Sequence, residues 1–104
     1  MSAPLVVEIP HRLGKDEAIR RLKGGLARAN SQYAQVLQVH EEIWSGDRLS
    51  FRVEAMRQMA SGTVDVGEDR VRVEVTLPWL LARLASGIQT AIRRSGSLML
   101  EKKP

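Results

Sequence analysis

From residue 36 to residue 77 the hydrophobic period of this chain is two, and no other feature limits its fold as much. Successive side chains of a strand point to opposite faces, so alternation of apolar and polar residues describes a sheet with one dry side. The clearest run is RVRVEVTL (70–77), with Val71, Val73, Val75 and Leu77 on one side and Arg70, Arg72, Glu74 and Thr76 on the other. After SGD (45–47), Leu49, Phe51, Val53 and Ala55 alternate with Ser50, Arg52 and Glu54; before GED (67–69), Val64 and Val66 alternate with Thr63 and Asp65. In VLQVHEEIW (36–44), Leu37, Val39 and Ile43 share a face, and a looser connection is expected around RQMASG (57–62). These runs form an antiparallel meander whose polar side faces water, its charges joined in cross-strand pairs.

The dry side needs a cover, and two segments with a spacing of three and four supply it. After Gly14, apolar residues recur at Ala18, Ile19, Leu22, Leu26, Ala29 and Tyr33, with Asp16 and Glu17 suited to the positive end of a helix dipole. The Gly24-Gly25 pair falls inside this helix, and Gly25 lies on its apolar side, where close approach to a sheet would explain it. Pro78 suits the first position of a second helix, which places Leu80, Leu81, Leu84, Ala85, Ile88, Ala91 and Ile92 on one side and ends near Gly96. Ahead of both, LVVEI (5–9) reads as a strand that Pro10 closes.

The expected fold is α+β: a two-layer sandwich in the order strand, helix, four strands, helix, its antiparallel sheet carrying both helices on one face. Residues 1–104 form one domain, with a core over about 5–95 and a frayed tail over 96–104. A chain of this length buries roughly 65% of its unfolded surface and folds without a metal or disulfide. With no cysteine, disulfides, thiolate catalysis and cysteine-ligated metal sites are excluded, which fits a reducing cytoplasm. MSAPLVVEIPHR (1–12) lacks the pattern of a signal peptide, and no run of about 18 apolar residues could cross a membrane as a helix. The net charge of +4 favours anionic partners, but it is spread along the chain and only four aromatic residues accompany it, which argues against specific nucleic-acid binding.

Few residues bear chemistry. His11 stands at a strand-to-helix junction, where it reads as a corner residue bonded to nearby backbone. His40, Glu41 and Glu42 follow one another on a strand, and neighbours that point to opposite faces do not converge on a metal. Glu41 shares the parity of Val39 and Ile43; either a bulge or strand end lets it reach water, or it lines a pocket between helix and sheet. LKGGLA (22–27) and VGED (66–69) lack the spacing of a phosphate loop, so no cofactor is expected. Lys15, Arg20, Arg21, Lys23 and Arg28 form the outer side of helix one, a solvated face or an anion-facing one. Trp79 lies on the polar side of helix two, and with Met56, Met59, Leu98 and Met99 it is a candidate surface contact.

IPHRLGKDEA (9–18), WSGDRLSF (44–51) and SGTVDVGEDRVRVEVTLPWLL (61–81), in this order and at these spacings, resemble the putative polyhydroxyalkanoic acid system proteins. These are small bacterial proteins whose genes lie near those for storage-polyester granule synthesis, and the likeness covers about residues 5 to 95. EAMRQMASG (54–62) departs from it, being richer in large residues than the glycine-rich connection of the family. The resemblance implies a cytoplasmic, granule-related role and carries over no catalytic residue. The expected function is therefore that of a non-enzymatic accessory protein binding the granule surface or a granule protein, with a homodimer formed through an edge strand or Trp79. The alternative is a small helix-grip-like module that encloses an apolar or acyl ligand against Phe51, Val73, Leu84, Ile88 and Glu41.

Overall fold

A computed structural model of the chain describes residues 4–32 and 34–101, and in addition leaves the side chains of Trp79 and Leu80 undescribed. Five strands and two α-helices follow one another as β1 (Pro4–Pro10), α1 (Lys15–Gln32), β2 (Leu37–Ser45), β3 (Arg48–Ala55), β4 (Gln58–Val66), β5 (Arg70–Thr76), a 3₁₀ turn (Trp79–Leu84) and α2 (Ala85–Met99). The sheet order is β1-β5-β4-β3-β2, antiparallel throughout. This is the α+β architecture expected from the alternation, with both helices over one face. Val7, Ile9, Leu49, Val64, Val66, Val71, Val73 and Val75 form the buried face, against which Ala18 and Leu22 of α1, Leu81 of the 3₁₀ turn and Leu100 are packed. Between neighbouring strands the opposite face carries the ion pairs Glu8–Arg70 and Arg48–Asp65, and a hydrogen bond joining His40 and Glu54. Exposed pairs of this kind contribute about 0.2–1 kcal/mol each, far less than the valines beneath them.

Five local expectations change. The register of β2 shifts between Val39 and Glu41, which makes His40 the extra residue of a bulge. The bulge inverts the alternation: Glu41 and Ile43 now pair with Arg52 and Ser50 on the wet face, Ile43 is 53% exposed, and Trp44 opposite Leu49 takes the core-facing place expected of Ile43. The loose connection over 57–62 is instead a two-residue hairpin turn at Met56-Arg57, both with positive φ (53° and 62°), and β4 begins at Gln58. Met56 is 74% exposed at the tip, and Met59 lies opposite Glu54.

The second helix does not start at Pro78, which is an extended residue before a 3₁₀ turn; the change of pitch rotates Leu84 and Ala91 outward and leaves Ala85, Ile88 and Ile92 half-buried. Nor does it end at Gly96. There α2 crosses β1 so closely that a Cβ would overlap the Cδ1 of Ile9, and the helix runs on to Met99. The expected tail is therefore docked through its first residues, with Leu100 only 4% exposed. Gly25 does meet a neighbour, but the neighbour is Met99 of α2 rather than the sheet.

Gly62 sits in mid-strand opposite Phe51 and Val75, with the Phe51 Cζ 2.7 Å from where a Cβ would stand and the Glu74 carbonyl still nearer. Gly62→Ala is expected to destabilise the protein by about 1–3 kcal/mol, through overpacking against a backbone that cannot yield. Replacing Met56 and Arg57 by Asn-Gly relieves two side-chain-bearing residues of left-handed backbone and is expected to stabilise by about 1 kcal/mol or more. Urea denaturation of the two variants beside the parent measures both effects.

Candidate functional site

His11 is buried where β1 hands over to α1, and three hydrogen bonds fix it. Its backbone N–H donates to the Asp69 carbonyl at 2.9 Å, and Nδ1 accepts from the Leu13 N–H at 3.2 Å. Nε2 therefore carries the hydrogen that the Gly67 carbonyl accepts at 3.0 Å. Both ring nitrogens are occupied in tying this corner to the β4–β5 turn. The same corner gains the Lys15 N–H donating to Glu68 Oε2 at 3.4 Å and an ion pair from Lys15 Nζ to Asp47 Oδ2 at 3.0 Å. The Asp47 carboxylate raises the pKa of Lys15, and the ammonium lowers that of Asp47, chiefly through their shared hydrogen bond.

His40 lies on the opposite edge strand, 2.9 Å from Glu54, so the two histidines share no cleft. Among the described residues no group of three or more His, Asp or Glu side chains converges as a metal site. Glu41 falls on the wet face and borders a shallow depression of about 320 Å³ with Ser50, Ser61, Gly62, Thr63, Glu74, Thr76 and Phe51, the one other expected pocket residue that it meets there. That position is the bulge outcome of the two open for Glu41 and removes it from any pocket under the helices. Val73 is a core residue, Phe51 and Ile88 pack against the core, and Leu84 is 49% exposed; of these four only Phe51 borders the depression, so they do not share one cavity there. Of the proposed surface contacts, Met56, Met59 and Leu98 are exposed, Met99 is half-buried, and the side chain of Trp79 lies outside the described residues.

The two helices create a second concavity, which pattern reading along one segment could not reveal. Arg20, Gly24 and Arg28 form one row of α1 at intervals of four, with Arg21 beside it. Leu98, Met99 and Glu101, from the end of α2, face that row across a cleft of about 350 Å³. Glu17 holds the first turn of the row: it accepts from Arg20 Nε and from Arg21 Nε, each at 2.8 Å. Arg21 also donates to the Glu101 carbonyl, joining α1 to the end of α2. Arg28 has no carboxylate within ion-pair distance among the described residues. Nearby, Lys23 Nζ stands 5.1 Å from the centre of the Trp44 ring, a cation–π contact that joins α1 to β2. Trp44 was the residue missed from sequence; two consecutive glutamates before it were the available sign that the alternation slips there.

The hydrogen bonds from Arg20 and then Arg21 lower the Glu17 pKa from 4.5 to about 2. A depressed carboxylate contributes stability that is complete above its unfolded value and fades as pH falls from about 4.5 toward 2. Glu17→Gln is thus expected to melt below the parent at neutral pH, with the gap closing progressively below pH 4.5; melting curves across that window check it.

Residues 5–98 match the family model described as putative polyhydroxyalkanoic acid system protein. No curated protein matches the chain.

Proposed function

The chain belongs to the putative polyhydroxyalkanoic acid system proteins, and from that premise we propose that it is a non-enzymatic accessory protein of the storage-polyester granule, in the cytoplasm, which binds the granule surface through its helical layer. The observation that carries this reading is the division of charge between the two layers. The helices and the 3₁₀ turn hold eight Lys and Arg side chains against two carboxylates, whereas the strands and their connections hold six against nine. Arg48–Asp65, Arg70–Glu8, Arg70–Asp69 and Arg72–Glu74 pair strand-layer charges with one another; Arg28, Arg83, Arg93 and Arg94 of the helical layer, like Arg12, Arg52 and Arg57 of the sheet layer, have no ion-pair partner among the described residues. On the same helical layer Leu84 and Leu98 are 49% and 66% exposed.

Exposed leucines bordered by arginines suit an interface that is apolar in bulk and anionic at its boundary, because each leucine gains by leaving water while each guanidinium keeps its charge at the edge. No helix among the described residues is long and apolar enough to cross a membrane, so the contact that this reading requires is made on a surface. Self-association through an edge strand is less well supported. β1 is bounded by Pro4 and Pro10, and β2 carries His40, Glu41 and Glu42 at its bulge, all features that resist strand addition.

Co-sedimentation with protein-free polyhydroxyalkanoate particles tests the proposal. The parent is expected in the pellet, and the double variant Leu84→Asp/Leu98→Asp is expected to bind about tenfold or more weakly, since two apolar contacts are lost. Binding to native granules but not to bare particles would make a granule protein the partner. Failure to bind either, with a tagged copy diffuse in granule-forming cells, would overturn the granule role.

A further inference from the structure

Gly24 has no reason in the fold to be glycine. It lies in the interior of α1, where glycine is the least favourable residue after proline, and its backbone is right-handed. Its neighbour Gly25 makes room for Met99, but a Cβ at Gly24 would meet no atom within 4 Å. The space it leaves open is the floor of the cleft between α1 and α2. Around that floor stand Arg20, Arg21 and Arg28 on one side and the apolar Leu98 and Met99 on the other.

We propose that this cleft binds an amphiphile bearing a single carboxylate, with the carboxylate held by Arg28 and the free Nη1 of Arg20 and the alkyl chain lying against Leu98 and Met99. The geometry of the charges selects this class. Glu17 takes the Nε and Nη2 edge of Arg20, which leaves its Nη1 free; Arg21 is engaged between Glu17 and the Glu101 carbonyl, and Arg28 is uncommitted among the described residues. Guanidinium groups pair with carboxylates through two parallel hydrogen bonds. Glu17 pairs with Arg20 and Arg21, and Glu101 borders the cleft, so two carboxylates stand against three arginines and the site is matched to a monoanion rather than to a phosphate dianion. A volume of about 350 Å³ stands at the lower end of ligand sites, which run from roughly 300 to 1,000 Å³. Leu98, 66% exposed, gains cover from an alkyl chain.

The binding chemistry is independent of the granule, but its natural source rests on the granule reading, which offers two: a free alkanoic or hydroxyalkanoic acid, or the carboxyl end of a polyester chain. Equilibrium dialysis with labelled decanoate below its micelle concentration tests the site, and methyl decanoate serves as the uncharged control. The parent is expected to bind one decanoate saturably and to bind the ester about tenfold or more weakly, as loss of a charge-assisted contact implies. Arg28→Gln is expected to weaken decanoate binding by about the same factor. Gly24→Leu fills the floor and is expected to abolish binding while the melting temperature holds or rises, because leucine favours the helix. A folded Gly24→Leu that binds as the parent does, equal binding of acid and ester, or no saturable binding would each overturn the proposal. Competition by a hydroxyalkanoate oligomer with a free carboxyl end supports the polymer as source; competition by the monomeric hydroxy acid alone supports the free acid. No granule enters these measurements, so their failure leaves the particle experiment to judge the granule role separately.

Discussion

A sheet with one apolar face must be covered, and the rest of this molecule follows from how the chain meets that requirement. Val7, Ile9, Val64, Val66, Val71, Val73 and Val75 lie on neighbouring positions of β1, β4 and β5, and burying a valine contributes about 1.5–3 kcal/mol. Ala18 and Leu22 of α1 join the same core, and α2 lies close over β1 because Gly96 presents no side chain to Ile9. The two helices meet at Gly25 and Met99, and the arginine-lined cleft opens beside that contact. The cleft is thus a by-product of covering the sheet, kept open by a glycine that the cover itself does not require.

The sheet's ends and edges show the same economy. One buried imidazole, His11, binds the β4–β5 turn through its ring while Lys15 reaches the β2–β3 turn, so the start of α1 is fixed at the rim of the sheet. On the far edge the bulge at His40 turns Glu41 outward and Trp44 inward, where Lys23 covers its ring. Proline at one edge and charge at the other leave the helical layer as the surface best suited to a partner. Its excess of arginine over carboxylate, with exposed Leu84 and Leu98, gives that layer the character of an interfacial face.

Such a face gives the family membership a physical content. The family name supplies a storage-polyester setting, and fold alone supplies no function. On the proposed granule role, the division of charge makes the helical layer the one suited to an apolar, anionic boundary. The unexplained Gly24 identifies the place on that layer where a single anionic group would fit.

The amino-acid sequence by itself determined the class and order of the elements, because periods of two and of three to four are local properties of the backbone and are written directly in residues such as Val71, Val73 and Val75 or Ala18, Leu22 and Leu26. It also marked His11 as a corner residue and excluded chemistry that needs cysteine. Tertiary structure alone decided four things. A one-residue bulge exchanged Ile43 for Trp44, since a shift of one reverses every later side chain of a strand. A 3₁₀ turn rotated Leu84 out to solvent, and close packing at Gly96 carried α2 beyond its expected end. The cleft came last, because it joins Arg20 and Arg28 to Leu98, residues about seventy positions apart whose proximity depends on where two helices cross and on no pattern within either.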